Sequence, residues 1–292
     1  MWQAEQWNIH KGAYLSASTL ARDGCARQLW YERQPTTQLY ENPRRRFWPF
    51  RGTLIHSLVE GAGSLVAPFG WMQELRMSVP LAYPEYPAPV FDEQGVWTGE
   101  WDSTRYLTIE VGGTTDAYNP FLLALHDFKT IGDGKISDFL QGKQGGTFSP
   151  FIKDEWVWQV NIYSWLIRKT RIEPHHREQF EAHRLPELPT THFPRPTTLQ
   201  MQLISMMEIP FTGRAYVPQR SYQEYVIDAV PVLSDQEIDT FVRDQALTWY
   251  RWLTLGEQPP VVAKKKAWMC KNCPFNGDLV PTGTCFPESE RT

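Results

Sequence analysis

Long apolar runs are missing from this chain of 292 residues, and no stretch approaches the roughly 18 consecutive apolar residues of a membrane-spanning helix. The opening Met1-Trp2-Gln3-Ala4-Glu5 also lacks the basic-then-apolar layout of a secretory leader, so the expectation is a soluble cytoplasmic protein with no membrane partner. An excess of either charge is missing too. With 29 Lys and Arg against 33 Asp and Glu, the net charge is -4, and any nucleic-acid surface must be local. Internal repeats and low-complexity tracts do not occur, which excludes a repeat array. Cysteine is scarce, and its placement is the informative part: Cys25 stands alone near the start, while Cys270, Cys273 and Cys285 crowd the end. In a reducing compartment such cysteines serve more often as metal ligands than as disulfides. Four thiolates complete a tetrahedral set for zinc or for a 4Fe-4S cluster, and Cys270-Lys271-Asn272-Cys273 has the C-x2-C spacing of such sites. Two disulfides, or buried thiols beside a chance C-x-x-C, fit the same count.

What is present is core-forming material. At 41% hydrophobic and 21% charged residues, the chain fits one large globular domain or a domain with appended elements. Ser16 or Ser18 can cap a first helix running through Leu20, Cys25, Leu29 and Trp30, and a second helix is expected from about Gly52 to Val66. From Trp71 to Lys129 the texture turns to short β-branched and aromatic runs, among them 75–79, 106–111 and 122–129, which read as strands of one sheet. Tyr118-Asn119-Pro120-Phe121 is a turn signal joining the last two in a hairpin, and Tyr83–Pro89, with three prolines, reads as a surface loop. Trp156, Gln159, Ile162, Tyr163 and Leu166 repeat at helical spacing over Asp154–Arg168, so that Gln159 and Tyr163 share a face. Residues 171–197 read as an irregular excursion, in which His175, His176, His183 and His192 are expected to face solvent; a strand resumes at Leu199–Ile204. Ser234-Asp235-Gln236-Glu237 is a capping box opening a last helix, stopped by Gly256 and Pro259-Pro260.

Chemistry concentrates in the hairpin. Asp116 closes its first strand, and Asp127 and Lys129 lie two apart on its second, where strand alternation points both to one face. Two converging carboxylates repel unless a divalent cation sits between them, and all-oxygen ligation suits Mg²⁺ or Mn²⁺. A neighbouring lysine can then orient water or neutralise charge growing on a phosphate. The same triplet also admits a plain account, with Asp116 capping the turn and Asp127 pairing Lys129. Two basic clusters, Arg44-Arg45-Arg46 with Arg51 and Lys264-Lys265-Lys266, are candidate DNA contacts or solvated faces alike.

Taken in order, the motifs resemble the PD-(D/E)XK nuclease superfamily and, within it, the RecB-like branch. Gly52-Thr53-Leu54-Ile55-His56 is similar to its G-x-x-x-H helix and Gly113-Thr114-Thr115-Asp116 to its G-x-x-D strand. Asp127-Phe128-Lys129-Thr130 is similar to its D-x-K-T strand and Gln159-Val160-Asn161-Ile162-Tyr163 to its Q-x3-Y helix. One cysteine before this core and three after it is the arrangement of iron-sulfur nucleases, the AddB family and the CRISPR-associated RecB-like exonucleases; Leu15–Tyr31 is similar to their opening. Thr115 stands where the superfamily name has Pro, and the loop at 80–100 and the excursion at 171–197 have no counterpart in the motifs.

The resemblance implies an α/β (α+β) fold, a restriction-endonuclease-like mixed central sheet flanked by helices, with N- and C-terminal segments joined by an iron-sulfur cluster. It divides the chain into a helical segment at 1–50, a nuclease core at 51–256 with an insertion near 171–197, and a cluster-binding tail at 257–292. His56, Asp116, Asp127 and the Phe128 backbone carbonyl would hold Mn²⁺ or Mg²⁺, Lys129 would place the water, and Gln159 and Tyr163 would hold the strand. Cys25, Cys270, Cys273 and Cys285 would ligate a 4Fe-4S cluster, with zinc as the competing metal. The implied activity is metal-dependent exonucleolytic hydrolysis at DNA ends or in single-stranded DNA. The alternative is a non-catalytic DNA-end-binding subunit of a recombination or CRISPR spacer-acquisition complex. The implied setting is the cytoplasm of a microbe or of a virus-infected host cell.

Overall fold

The computed structural model describes residues 14–32, 57, 61, 63–94, 96–132, 145–206, 224–227, 230–261, 269–270, 273, 275 and 285. The chain folds into two compact units, one drawn from residues 1–42, 80–111 and 242–292, the other from 43–79 and 112–241. Two long strands and one helix contribute to both. Among the described residues no helix is long and apolar enough to cross a membrane.

The first unit opens with β1 (Tyr14–Ser16), α1 (Ala17–Leu20) and α2 (Ala26–Glu32). Ser16 caps α1, its hydroxyl accepting from the Thr19 N–H at 3.2 Å. The single expected helix is thus two short ones, and Cys25 lies at the start of the second. The remainder of this unit comes from the outer parts of β2 (Met72–Phe91) and β3 (Trp97–Asn119) and from the later turns of α6 (Asp235–Leu253). Leu107, Ile109 and Val111 are buried at alternate positions, the two-residue period of a strand with one face on a core. Tyr83–Pro89 is not the expected loop but part of β2. Among the described residues β2 pairs with β3 alone, and prolines are tolerated in strands that leave one edge unpaired.

The second unit holds α3 (Gly63–Val66), β4 (Ala124–Gly132), α4 (Asp154–Ile167), α5 (Pro174–Ala182), β5 (Thr198–Met206), β6 (Glu224–Ile227) and the start of α6. The strands run in the order β1-β3-β4-β5-β6, with β2 also on β3. β3 and β4 are antiparallel with Ala117 opposite His126, β4 and β5 are parallel with Asp127 opposite Met201, and β5 and β6 are antiparallel. The sheet is therefore mixed and flanked by helices, an α/β architecture in which helical segments fill the crossover from β4 to β5. Asn119 makes the hairpin turn, its side-chain oxygen accepting from the Phe121 and Leu122 N–H groups at 3.0 Å. At Gly70 the backbone is left-handed and an added Cβ would meet the Phe121 ring at 2.6 Å, which is why this position takes glycine.

α4 carries its unit's core: Val157, Val160, Ile162, Trp165 and Leu166 are fully buried. Trp158 stacks flat on Phe241 of α6 at 3.8 Å. The buried Asn161 donates to Val157 O and Pro231 O and accepts from the Leu233 N–H, all at 2.9 Å, tying α4 to the segment that enters α6. α6 begins with the expected capping box, Ser234 and Glu237 exchanging hydrogen bonds at 3.2 and 2.8 Å. The excursion at 171–197 is more ordered than expected, since α5 occupies its first part and Arg171 bridges His192. Pro174 at the first turn of α5, with Glu173 as the cap, supplies the start signal that the run of prolines and histidines obscures.

Candidate active site and thiol cluster

Asp116 and Asp127 are the residues next beyond the last pair of the β3–β4 ladder, Ala117 with His126. There β4 parts from β3, while its parallel pairing with β5, which runs from Ala124 to Gly132, continues. The Asp116 carboxylate spans the parting, Oδ2 accepting from the Phe128 N–H at 2.6 Å. Within a strand the N–H and C=O of one residue point to the same edge, so the Phe128 carbonyl also faces Asp116. Asp127 and Lys129 share a face of β4. Lys129 Nζ lies 2.9 Å from Asp127 Oδ2 and donates to Gln159 Oε1 at 3.0 Å. Gln159 Nε2 in turn donates to the Tyr163 hydroxyl at 3.0 Å, the two residues lying one turn apart on α4. A continuous polar chain thus runs Asp127, Lys129, Gln159, Tyr163.

Burial gives this chain its force. Asp127 is 2% exposed and Tyr163 8%, while Asp116, Lys129 and Gln159 are half-buried. A charge pair so far from water interacts strongly and holds fixed geometry, whereas the same pair on a surface contributes little. The plain account of the triplet holds in one respect and fails in another: Asp127 does pair Lys129, but the turn is capped by Asn119 while Asp116 reaches across to β4. His126 projects from the other face of β4 and packs on Trp71 at 4.5 Å.

The cysteines belong to the first unit, and all four are free thiols, Cys285 buried and the others half-buried. The Cys273 N–H donates to Cys270 O at 3.1 Å, the tight turn expected of C-x2-C, and the Cys285 N–H donates to Phe275 O at 2.8 Å. Tyr31, Phe275 and Cys285 form a small core with Trp30, Val261 and Cys273 against it. Burial pushes the Cys285 thiol up to about 11; a hydrogen bond and charge from Arg27 oppose this, and Cys25 and Cys273 add to it. Residues from the two ends of the chain therefore meet around one sulfur. Arg27 was not among the expected site residues. It is 5% exposed, its Nε donates to Pro259 O at 2.7 Å, and its only signal in the sequence is a place two residues after Cys25.

No group of three or more His, Cys, Asp or Glu side chains among the described residues is arranged as it stands to hold a metal ion. His56, Arg44, Arg45, Arg46, Arg51, Lys264, Lys265 and Lys266 lie outside the described residues. Of the excursion's histidines, His175 and His192 are exposed and His183 is half-buried, but His176 is buried, accepting from the Glu173 N–H at 3.1 Å and lying against Phe193.

No protein-family model and no curated protein matches the chain. Among solved structures it is similar to one described as "Crystal structure of SSO0001", with 16% identity and a TM-score of 0.40 over 94% of this chain and 89% of that one.

Proposed function

We propose that the chain is a metal-dependent deoxyribonuclease of the PD-(D/E)XK superfamily, RecB-like branch, digesting DNA from ends or as single strands. The observation that carries this reading is the Lys129 ammonium, fixed between Asp127 Oδ2 at 2.9 Å and Gln159 Oε1 at 3.0 Å beside a second carboxylate, Asp116. A structural ion pair needs neither the second acid nor the relay to Tyr163. The oxygen donors of Asp116 and Asp127, with the Phe128 carbonyl on the same edge, fit a hard divalent cation, and His56 would complete the set. Bound there, Mn²⁺ or Mg²⁺ would supply Lewis-acid activation of the scissile phosphate. Lys129 has three donors; with Gln159 holding one, another is free to hold the attacking water or a phosphate oxygen as charge develops. Tyr163 keeps the Gln159 amide aligned, and Gln159 keeps the ammonium aimed.

Cys25, Cys270, Cys273 and Cys285 would hold a 4Fe-4S cluster, for which four sulfur donors are the right chemistry. Its role would be to clip the two ends of the chain into the first unit, turning metal affinity into folding free energy. The substrate is DNA, the setting cytoplasmic, and the candidate partners are recombination or CRISPR adaptation proteins.

A time course on end-labelled linear and circular single-stranded DNA with Mn²⁺ tests the reading. Linear DNA should shorten from its ends, and Asp127→Asn and Lys129→Met should each slow cleavage at least about a hundredfold while DNA binding persists. Undiminished cleavage in both variants would falsify the site. Binding without cleavage by the unaltered protein would favour an accessory end-binding subunit.

A further inference from the structure

Among the described residues Arg27 is the one lysine or arginine that is buried, at 5% exposure. Taking a guanidinium out of water is unfavourable unless hydrogen bonds and negative charge meet it, so its surroundings say what it is for. From the start of α2, Nε donates to Pro259 O at 2.7 Å in a bond shut off from solvent. The guanidinium also donates to the Cys285 sulfur and acts on it through its charge. A carbonyl answers a donor but not the charge; a sulfur answers both once it is a thiolate.

That sulfur has company. Cys25 and Cys273 act electrostatically on Cys285, Cys273 packs on the same small core, and its N–H bond to Cys270 O at 3.1 Å closes the C-x2-C turn there. All four cysteines are free thiols. Sulfur donors drawn from both ends of the chain fit zinc or a 4Fe-4S core, and each must shed its proton to bind. Four thiolates around either metal keep a net negative charge, which burial beside Tyr31 and Phe275 penalises. Arg27 stands where that charge falls.

We infer, on the reading of these cysteines as a thiolate metal centre, that Arg27 is its positioning and charge-balancing residue: anchored on Pro259, the guanidinium fixes the Cys285 thiolate and offsets the charge that the four sulfurs leave. It touches a ligand and not the metal. One side chain of α2 thereby joins the segment that leaves α6 to the tail that carries Cys285. Charge separates this role from a plain structural one. A guanidinium that merely ties α2 to Pro259 can be replaced by an uncharged donor, whereas one that balances thiolates cannot lose its charge.

The test uses the full chain purified without air, with iron and zinc measured by mass spectrometry, metal release followed in excess EDTA, and folding verified by circular dichroism. Arg27→Gln keeps hydrogen-bond donors but not the charge, and should release metal at least about tenfold faster than the native protein, the usual result of removing an outer-shell partner. Arg27→Lys keeps the charge and should stay near the native rate. Tyr31→Phe removes a neighbouring uncharged bond, the one its hydroxyl accepts from Gln258 at 3.2 Å, and should change nothing. In iron-loaded Arg27→Gln the reduction midpoint should also fall, by about 59 mV for each tenfold loss of affinity for the added electron, since the reduced centre is the more negative one. Native release by folded Arg27→Gln, or an unmoved midpoint in its iron-loaded form, overturns the inference. Fast release by folded Arg27→Lys makes the role one of shape and overturns it as well, which decides the matter even where Arg27→Gln does not fold. Equally fast release by Tyr31→Phe means general loosening and has the same effect. Native protein holding neither iron nor zinc removes the thiolate centre itself, an outcome distinct from a metal that is present and indifferent to Arg27.

Discussion

At the scale of single residues the decisive object is the Lys129 ammonium. Lys129→Met leaves the nearly buried Asp127 facing an apolar chain, which should cost about 3–5 kcal/mol. Asp127→Asn/Lys129→Met together should recover part of that loss, because no charge then remains without its partner; urea unfolding of both proteins measures the difference. His176 makes a pH-dependent contribution of the opposite kind. Burial lowers it from 6.5 to about 4, with the His175 ring 3.9 Å away adding to the effect and Glu173 opposing it. Its neutral form is the folded form, so its contribution is whole above pH 6.5 and falls away as the pH drops toward 4 and the unfolded chain takes up protons first. Urea midpoints across that window should decline more steeply for the native protein than for His176→Gln, whose amide oxygen can still accept the Glu173 N–H. The sequence suggested Asp116, Asp127, Lys129, Gln159 and Tyr163 through residue type and order. It held no sign that the Phe128 N–H would anchor Asp116, because that bond depends on where two strands separate.

At the scale of elements, Asn161 joins α4 to the approach of α6. Asn161→Leu keeps the volume but leaves Pro231 O and the Leu233 N–H without their partner, and should lower stability by on the order of 3 kcal/mol in urea titrations. α4 and the start of α6 were readable because each carries its own signals, a 3.6-residue apolar repeat in one and a capping box in the other. β2 was misread for a reason as definite. Three prolines in seven residues signal a loop locally, whereas the extended backbone of 83–89 comes with pairing to β3, which no short window of sequence displays. α5 escaped notice because its polar composition lacks an apolar stripe, its helix being secured by Glu173, Pro174 and the burial of Phe180.

At the scale of the whole molecule, the cysteines supply the test. Cys25→Ser and Cys273→Ser should each reduce bound iron in anaerobically purified protein and expose the chain ends to limited proteolysis; zinc in place of iron would revise the metal, and the absence of both would remove the centre. The sequence by itself determined the alternation of apolar residues that makes strands and helices, the pairing of Asp127 with Lys129 on one face, and the spacing of Cys270 and Cys273. These are local consequences of backbone periodicity, which any short window of the chain displays. Only the tertiary structure decided that Gln159 of α4 would reach Lys129 of β4, that β4 would leave β3 at the two aspartates, and that Arg27 would lie against Cys285. Each of those joins residues distant along the chain, and such meetings are fixed by how sheet, helices and buried side chains fill space together, a property no single segment carries.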